Sequence, residues 1–172
     1  EILSEVLDIG VRELYEQVKR IVRSAEENEK DFRKTFAQLV DTHLTYLLTD
    51  SDFTSANIRN YPMLSGEARA PHRELRAAYA GVWSDFLNDA RRAGQLRSDI
   101  SVSAMRQFIL SAMNWTVEWY DVKKYPVQML SERMCKLILD GMCTSGRINT
   151  GILKSSAGVS IQTPEPLGKA AH

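Results

Sequence analysis

Apolar residues recur at three- and four-residue spacing along nearly the whole chain, the signature of amphipathic helices. Leu3, Leu7, Gly10, Leu14, Val18 and Ile21 form the first stripe and predict a helix from about Ile2 to Ser24. It starts on pattern with no N-cap, so Glu1 reads as a cut rather than a natural start. Beyond the polar link Glu26 to Lys30, Phe32, Phe36, Leu39, Val40, His43, Leu44 and Leu47 predict a second helix ending near Asp50. Asn28 and Asp31 suit a capping pair at its start. A short helix is expected from Ser51 to about Asn60, broken at Tyr61-Pro62 because proline biases its predecessor away from helix. Leu75, Tyr79, Val82, Phe86 and Ala90 mark a fourth helix from about Glu67 to Ala93, with Arg91 and Arg92 at the negative end of its dipole and Gly94 just past it. Asp99 or Ser101 caps a helix over Val102 to Asp121, and Pro126 suits the first turn of a last long helix reaching about Gly146. There are no convincing period-two strands and no internal repeats. The fold class expected is all-α, a bundle of about six helices in one domain over residues 1–146. From Arg147 the periodicity gives way to Gly, Ser, Thr and Pro, which predicts an extended or mobile tail over 147–172.

The last two long helices carry more apolar surface than one contact needs. On a helical wheel, Phe108, Ala112, Trp115 and Trp119 form one arc of the Val102–Asp121 helix, and Ile109, Met113, Val117 and Tyr120 form an adjacent one. Gln107, Ser111, Asn114 and Glu118 take the remainder. An ordinary surface helix has a single stripe. In the last helix Val127, Leu130, Met134, Leu137, Ile138, Gly141 and Met142 share a wide face, and Gly141 suits close helix approach. Two such helices from each of two chains would make a two-fold four-helix interface. The residues expected there are Phe108, Ala112, Trp115, Trp119, Leu130, Met134, Leu137, Ile138 and Gly141. The alternative is that both helices form the centre of a monomeric bundle. The pattern leaves open which arc would face a partner, and whether Asn114 bridges the interface, reaches a cavity or meets water.

Composition narrows the classes. The chain has 172 residues, enough for one domain with a core. Lys+Arg and Asp+Glu are both 22, so a whole-surface DNA binder is not indicated. No apolar run is long enough to span a bilayer, and the first ten residues mix charges into the apolar pattern unlike a signal peptide. Cys135 and Cys143 lie too far apart on one helix to pair there, which fits a reducing, cytoplasmic compartment.

A few polar residues interrupt apolar faces. His43 sits between Leu39 and Leu47; it is either a hydrogen-bonded core residue or a polar anchor in a ligand cavity. Tyr46, Tyr61 and Tyr79 invite the same two readings. Arg69, His72, Arg73 and Arg76 share one side of the fourth helix, with Arg59 upstream; they are either a solvated face or an anion site at a cavity mouth, with His72 pointing inward. Trp83, Met113 and Val117 complete the candidate ligand-binding set by position along the bundle. The chain lacks H-E-x-x-H, G-x-S-x-G, Gly-rich phosphate-loop and paired Glu-x-x-His patterns, and its three histidines have no metal spacing, so no enzyme, metal or cofactor is expected.

Four segments in order resemble the C-terminal regulatory domain of TetR-family transcriptional regulators. Glu1-Ile2-Leu3-Ser4-Glu5-Val6-Leu7 resembles the start of the family's fourth helix, and Ala93-Gly94-Gln95-Leu96-Arg97-Ser98-Asp99-Ile100 its link before the penultimate helix. Asn114-Trp115-Thr116-Val117-Glu118-Trp119-Tyr120 is similar to an "NWtxxWY" segment of a subgroup that includes acyl-CoA-responsive repressors, and Leu139-Asp140-Gly141 matches a recurrent ending of the last helix. The resemblance covers about Ile2 to Thr144.

It implies a cytoplasmic homodimeric repressor whose last two helices pack as a four-helix bundle. A small apolar or acyl-CoA-like effector would enter a cavity, shift the first long helix and so change the spacing of two DNA-binding heads. The family's N-terminal helix-turn-helix has no counterpart in this sequence, so operator DNA would be contacted only through that missing unit. The competing expectation is a purely structural helical dimerisation module with a filled core and no ligand.

Overall fold

The computed structural model describes residues 2–28, 31–50, 66–121 and 123–143. Among these the protein is all-α, with five α-helices: α1 (Ile2–Glu27), α2 (Phe32–Thr45), α3 (Gly66–Arg92), α4 (Val102–Trp119) and α5 (Val127–Met142). A π-helical turn, Tyr46–Asp50, continues α2. The short helix expected from Ser51 to Asn60 and the tail from Arg147 lie outside the described residues, as do Arg59 and Tyr61.

Local chemistry sets the helix ends. Asp31 itself, not Asn28, caps α2, its side chain accepting from the Lys34 N–H at 3.1 Å. Ser101 caps α4 by accepting from the Ala104 N–H at 3.2 Å. Gly94 has φ 72°, the left-handed conformation that ends α3: its N–H donates to Arg91 O and that of Gln95 to Ala90 O, each at 3.0 Å. α4 stops at Trp119 and α5 at Met142, both shorter than the periodicity predicted, because Tyr120 and Cys143 turn to extended backbone.

α2 is the central helix, packed against α1, α4 and α5, while α3 bridges α1 and α4. Val18 of α1, Phe36, Leu39, Val40 and Leu44 of α2, Trp83 and Leu87 of α3, and Met113 of α4 are sealed from solvent. Each large apolar side chain so buried contributes about 1.5–3 kcal/mol. Aromatic contacts tie α2 to α3: Phe32 stacks on Phe86 at 5.2 Å and Phe36 meets Trp83 edge-on at 6.0 Å.

The link after α3 ties it to both following helices. The Arg91 guanidinium donates to Ile100 O, just before α4. Arg97 donates through its backbone N–H to Met142 O at 3.0 Å and through Nη1 to Gly141 O at 3.1 Å, satisfying carbonyls at the end of α5. Leu96 and Cys143 form a single antiparallel bridge.

Candidate functional site

A cavity of about 110 Å³ lies where α1, α2, α3 and α4 meet, lined by Val11, Leu14, His43, Arg76, Tyr79, Leu110 and Asn114. Apolar residues come from α1 and α4, and the polar wall is a hydrogen-bonded chain across three helices. Tyr79 Oη lies 2.6 Å from His43 Nδ1, and His43 Nε2 lies 3.1 Å from Asn114 Oδ1. His43 is buried, and this burial lowers its pKa to about 4 although the Asn114 contact favours the protonated form. The imidazole is therefore neutral at physiological pH. Burial likewise raises the Tyr79 hydroxyl above its ordinary range, opposed by the nearby Trp83 indole N–H.

The structure brings together His43, Tyr79 and Arg76 of the expected ligand set, and adds Asn114, Leu110, Val11 and Leu14. Asn114 falls on the polar arc of its helix, and its link to His43, 71 residues away, has no local signal. Other expected ligand residues lie elsewhere. Trp83, Met113 and Val117 are buried core side chains, because the apolar stripes that suggested a cavity wall are filled by neighbouring helices. His72 is buried as its apolar-side position suggested, but it does not line the cavity; Tyr46 is half-buried beside the core, and Arg73 is exposed.

A more open depression of about 250 Å³ lies towards the other end of the bundle, between Val22 and Ala25 of α1 and Phe86 and Ala90 of α3. Two of its polar residues are already engaged: Thr35 Oγ1 donates to Asp31 O at 3.1 Å, and Asp89 pairs with Arg92. Among the described residues, no side-chain hydrogen-bond chain like that of the smaller cavity crosses it.

On the outer side of the bundle, the two arcs of α4 separate. Phe108, Trp115 and Trp119 are 73%, 66% and 48% exposed, whereas Ile109, Met113 and Val117 are buried. Leu137 of α5 is 77% exposed, and Ala112 and Gly141 also face outward. Among the described residues, a Cβ built on Gly141 would meet no atom within 4 Å. Leu130, expected on the outer side, instead belongs to the core, while Met134 and Ile138 are half-buried. Leu130 shares a helix side with Leu137 but lies two turns nearer the Tyr120–Pro126 turn, so burial varies along the axis as well as around it.

The described bundle thus combines a polar-walled cavity with exposed apolar side chains on its outer side. Residues 29–142 match the family described as "Tetracyclin repressor-like, C-terminal domain", and the chain belongs to that family. Solved structures agree on the fold. The TetR-family transcriptional regulator PfmR from Thermus thermophilus superposes with TM-score 0.69 at 19% identity, over 80% of this chain and 73% of that one. The ketosteroid transcriptional regulator KstR2 of Mycobacterium tuberculosis gives 0.68 at 19% identity, over 83% and 72%. The transcriptional regulator FadR from Bacillus subtilis, in complex with stearoyl-CoA, gives 0.66 at 17% identity, over 79% and 74%. Among curated protein sequences, nothing matches the chain. Among the described residues no helix is long and apolar enough to cross a membrane.

Proposed function

We propose that this chain is the effector-sensing and dimerisation part of a TetR-type DNA-binding transcriptional repressor, with the effector held in the cavity around His43. The observation that carries the reading is the Tyr79–His43–Asn114 chain facing a space between α1 and three other helices. By family resemblance, α1 leads towards the DNA-binding head, so a ligand that parts α1 from α3 and α4 would re-space two heads. The cavity's 110 Å³ is well below the roughly 300–1,000 Å³ of pockets for drug-sized ligands, so a full effector requires those helices to separate. The ligand thus favours the displaced arrangement, as linkage requires.

For the effector we favour an acyl-CoA or related acyl compound. FadR, of the same fold, binds stearoyl-CoA. Here Arg76 lines the cavity and Arg73 stands exposed one turn away, suited to phosphates at a cavity mouth. Thermal-shift titration with a series of acyl-CoAs tests this: Arg73→Ala and Arg76→Ala should each weaken binding, and acyl-CoA binding indifferent to both would defeat the anion site. The protein is proposed to work as a homodimer through Phe108, Trp115, Trp119 and Leu137 with Ala112 and Gly141, in the cytoplasm and without catalysis. Gly141→Leu should then shift a dimer towards monomer in sedimentation, and a wild-type chain that sediments as a monomer would defeat it. The small size of the cavity favours a second reading, a structural dimerisation module without ligand. That reading requires that no acyl compound stabilise the chain.

A further inference from the structure

The hydrogen-bond polarity of the buried chain restricts what the cavity can hold. A neutral imidazole has one donor and one acceptor nitrogen, and both nitrogens of His43 are engaged. Suppose Nδ1 donated to Tyr79. The phenol hydrogen would then need another acceptor, and Asn114 would have to turn its amide nitrogen to His43 Nε2, whereas its Oδ1 lies there at 3.1 Å. The Trp83 indole N–H that faces the phenol cannot serve, because indole only donates. Tyr79 O–H therefore donates to His43 Nδ1, His43 Nε2–H donates to Asn114, and the Asn114 atom facing His43 is its oxygen, at 3.1 Å.

Asn114 thus turns its only acceptor towards His43. Its Nδ2 hydrogens have no partner among the described residues, and the residue lines the cavity. Beside the Tyr79–His43–Asn114 chain, the wall carries Arg76, whose guanidinium is donor-only by chemistry. Val11, Leu14 and Leu110 supply the apolar remainder.

We propose that this cavity selects effectors whose buried end is a hydrogen-bond acceptor, a carbonyl or carboxylate oxygen received by Asn114 Nδ2, and excludes amines and other cations. This rests on the reading of the cavity as the effector site. An ammonium would meet the Asn114 Nδ2 donor and the Arg76 guanidinium, whereas a ketone or carboxylate completes the Asn114 amide. His43 acts as a positioning residue, because its proton placement fixes which way the amide points.

The test is calorimetric titration of the chain with four small probes: heptanoate, 2-heptanone, heptylamine and toluene. Heptanoate and 2-heptanone should bind at least tenfold more tightly than heptylamine, and their order separates an acid from a ketone preference. Asn114→Asp keeps an oxygen for His43 but replaces the donor by an acceptor, so it should invert the ranking towards heptylamine. Asn114→Leu should abolish the preference for acceptors while sparing toluene, which guards against a misfolded aspartate variant. Toluene binding as tightly as 2-heptanone, or an unchanged ranking in both variants, overturns the proposal but leaves the effector cavity standing. Failure of all four probes, in wild type and in Asn114→Leu, overturns the cavity reading and this inference with it.

Discussion

Along α4, Ile109, Met113 and Val117 are sealed in the core, while Phe108, Trp115 and Trp119, offset by about 100° per residue, stand in solvent. Both faces are equally apolar in composition, so hydrophobicity alone does not distinguish them. They differ in what lies opposite. The inner face meets α2 and α3 of its own chain. The outer face stands exposed, as does Leu137 of α5. Large aromatics left this exposed on one side of a helix suit an interaction surface more than a core. On the proposed dimer, the inner face governs whether the chain folds, and the outer face whether it associates.

That division is most directly challenged at Met113. Met113→Ala should lower the unfolding free energy by about 2–5 kcal/mol in denaturant titration, independent of protein concentration. Trp115→Ala should leave concentration-independent stability nearly unchanged. A comparable loss at Trp115, independent of concentration, would erase the distinction between the faces.

The polar end of the inner side gives the next largest effect. His43 has its pKa lowered from 6.5 to about 4, so between those values the unfolded chain binds the proton and the folded chain does not. Stability from this site is complete above pH 6.5 and falls with pH through the window to 4. The loss reaches about 3 kcal/mol at the lower limit. Comparing denaturation of wild type and His43→Gln across this range checks it. The variant should lack that slope, and identical slopes would remove His43 as the cause.

On the outer face, Trp115→Ala should cost about 2 kcal/mol or more of association, roughly a thirtyfold weaker dimer by analytical ultracentrifugation. The smallest effect belongs to a residue that serves both faces alike. Ser101→Ala removes the cap of α4 and should cost about 1 kcal/mol in thermal unfolding, with no change in the ratio of dimer to monomer.

Much of the fold was legible because helical periodicity is a local signal. The stripes of α1, α2 and α3 and the arcs of α4 follow from spacing, and the cap residues Asp31, Ser101 and Gly94 from their short-range chemistry. The boundary of α5 was read too long, because its final turn ends on a bond from Arg97, 44 residues upstream of Gly141. The candidate site was only half legible. His43 and Tyr79 stood out as polar residues on apolar faces, but Asn114 lies on a polar arc and is drawn inward by His43 alone. Trp83 shows the converse: an indole in a stripe suits a cavity wall or a core equally, and here it is buried edge-on against Phe36.

The Arg97 link has a consequence for synthesis on the ribosome. Its N–H and guanidinium close onto carbonyls of α5, and α5 also covers one side of the central α2. A nascent chain emerging at about 5–20 residues per second must hold α2 partly uncovered until residues near Met142 have left the exit tunnel. The order of translation therefore gives chaperones a defined interval in which to meet that apolar surface. Arrest peptides placed before and after α5 would report the moment the domain closes as a step in pulling force.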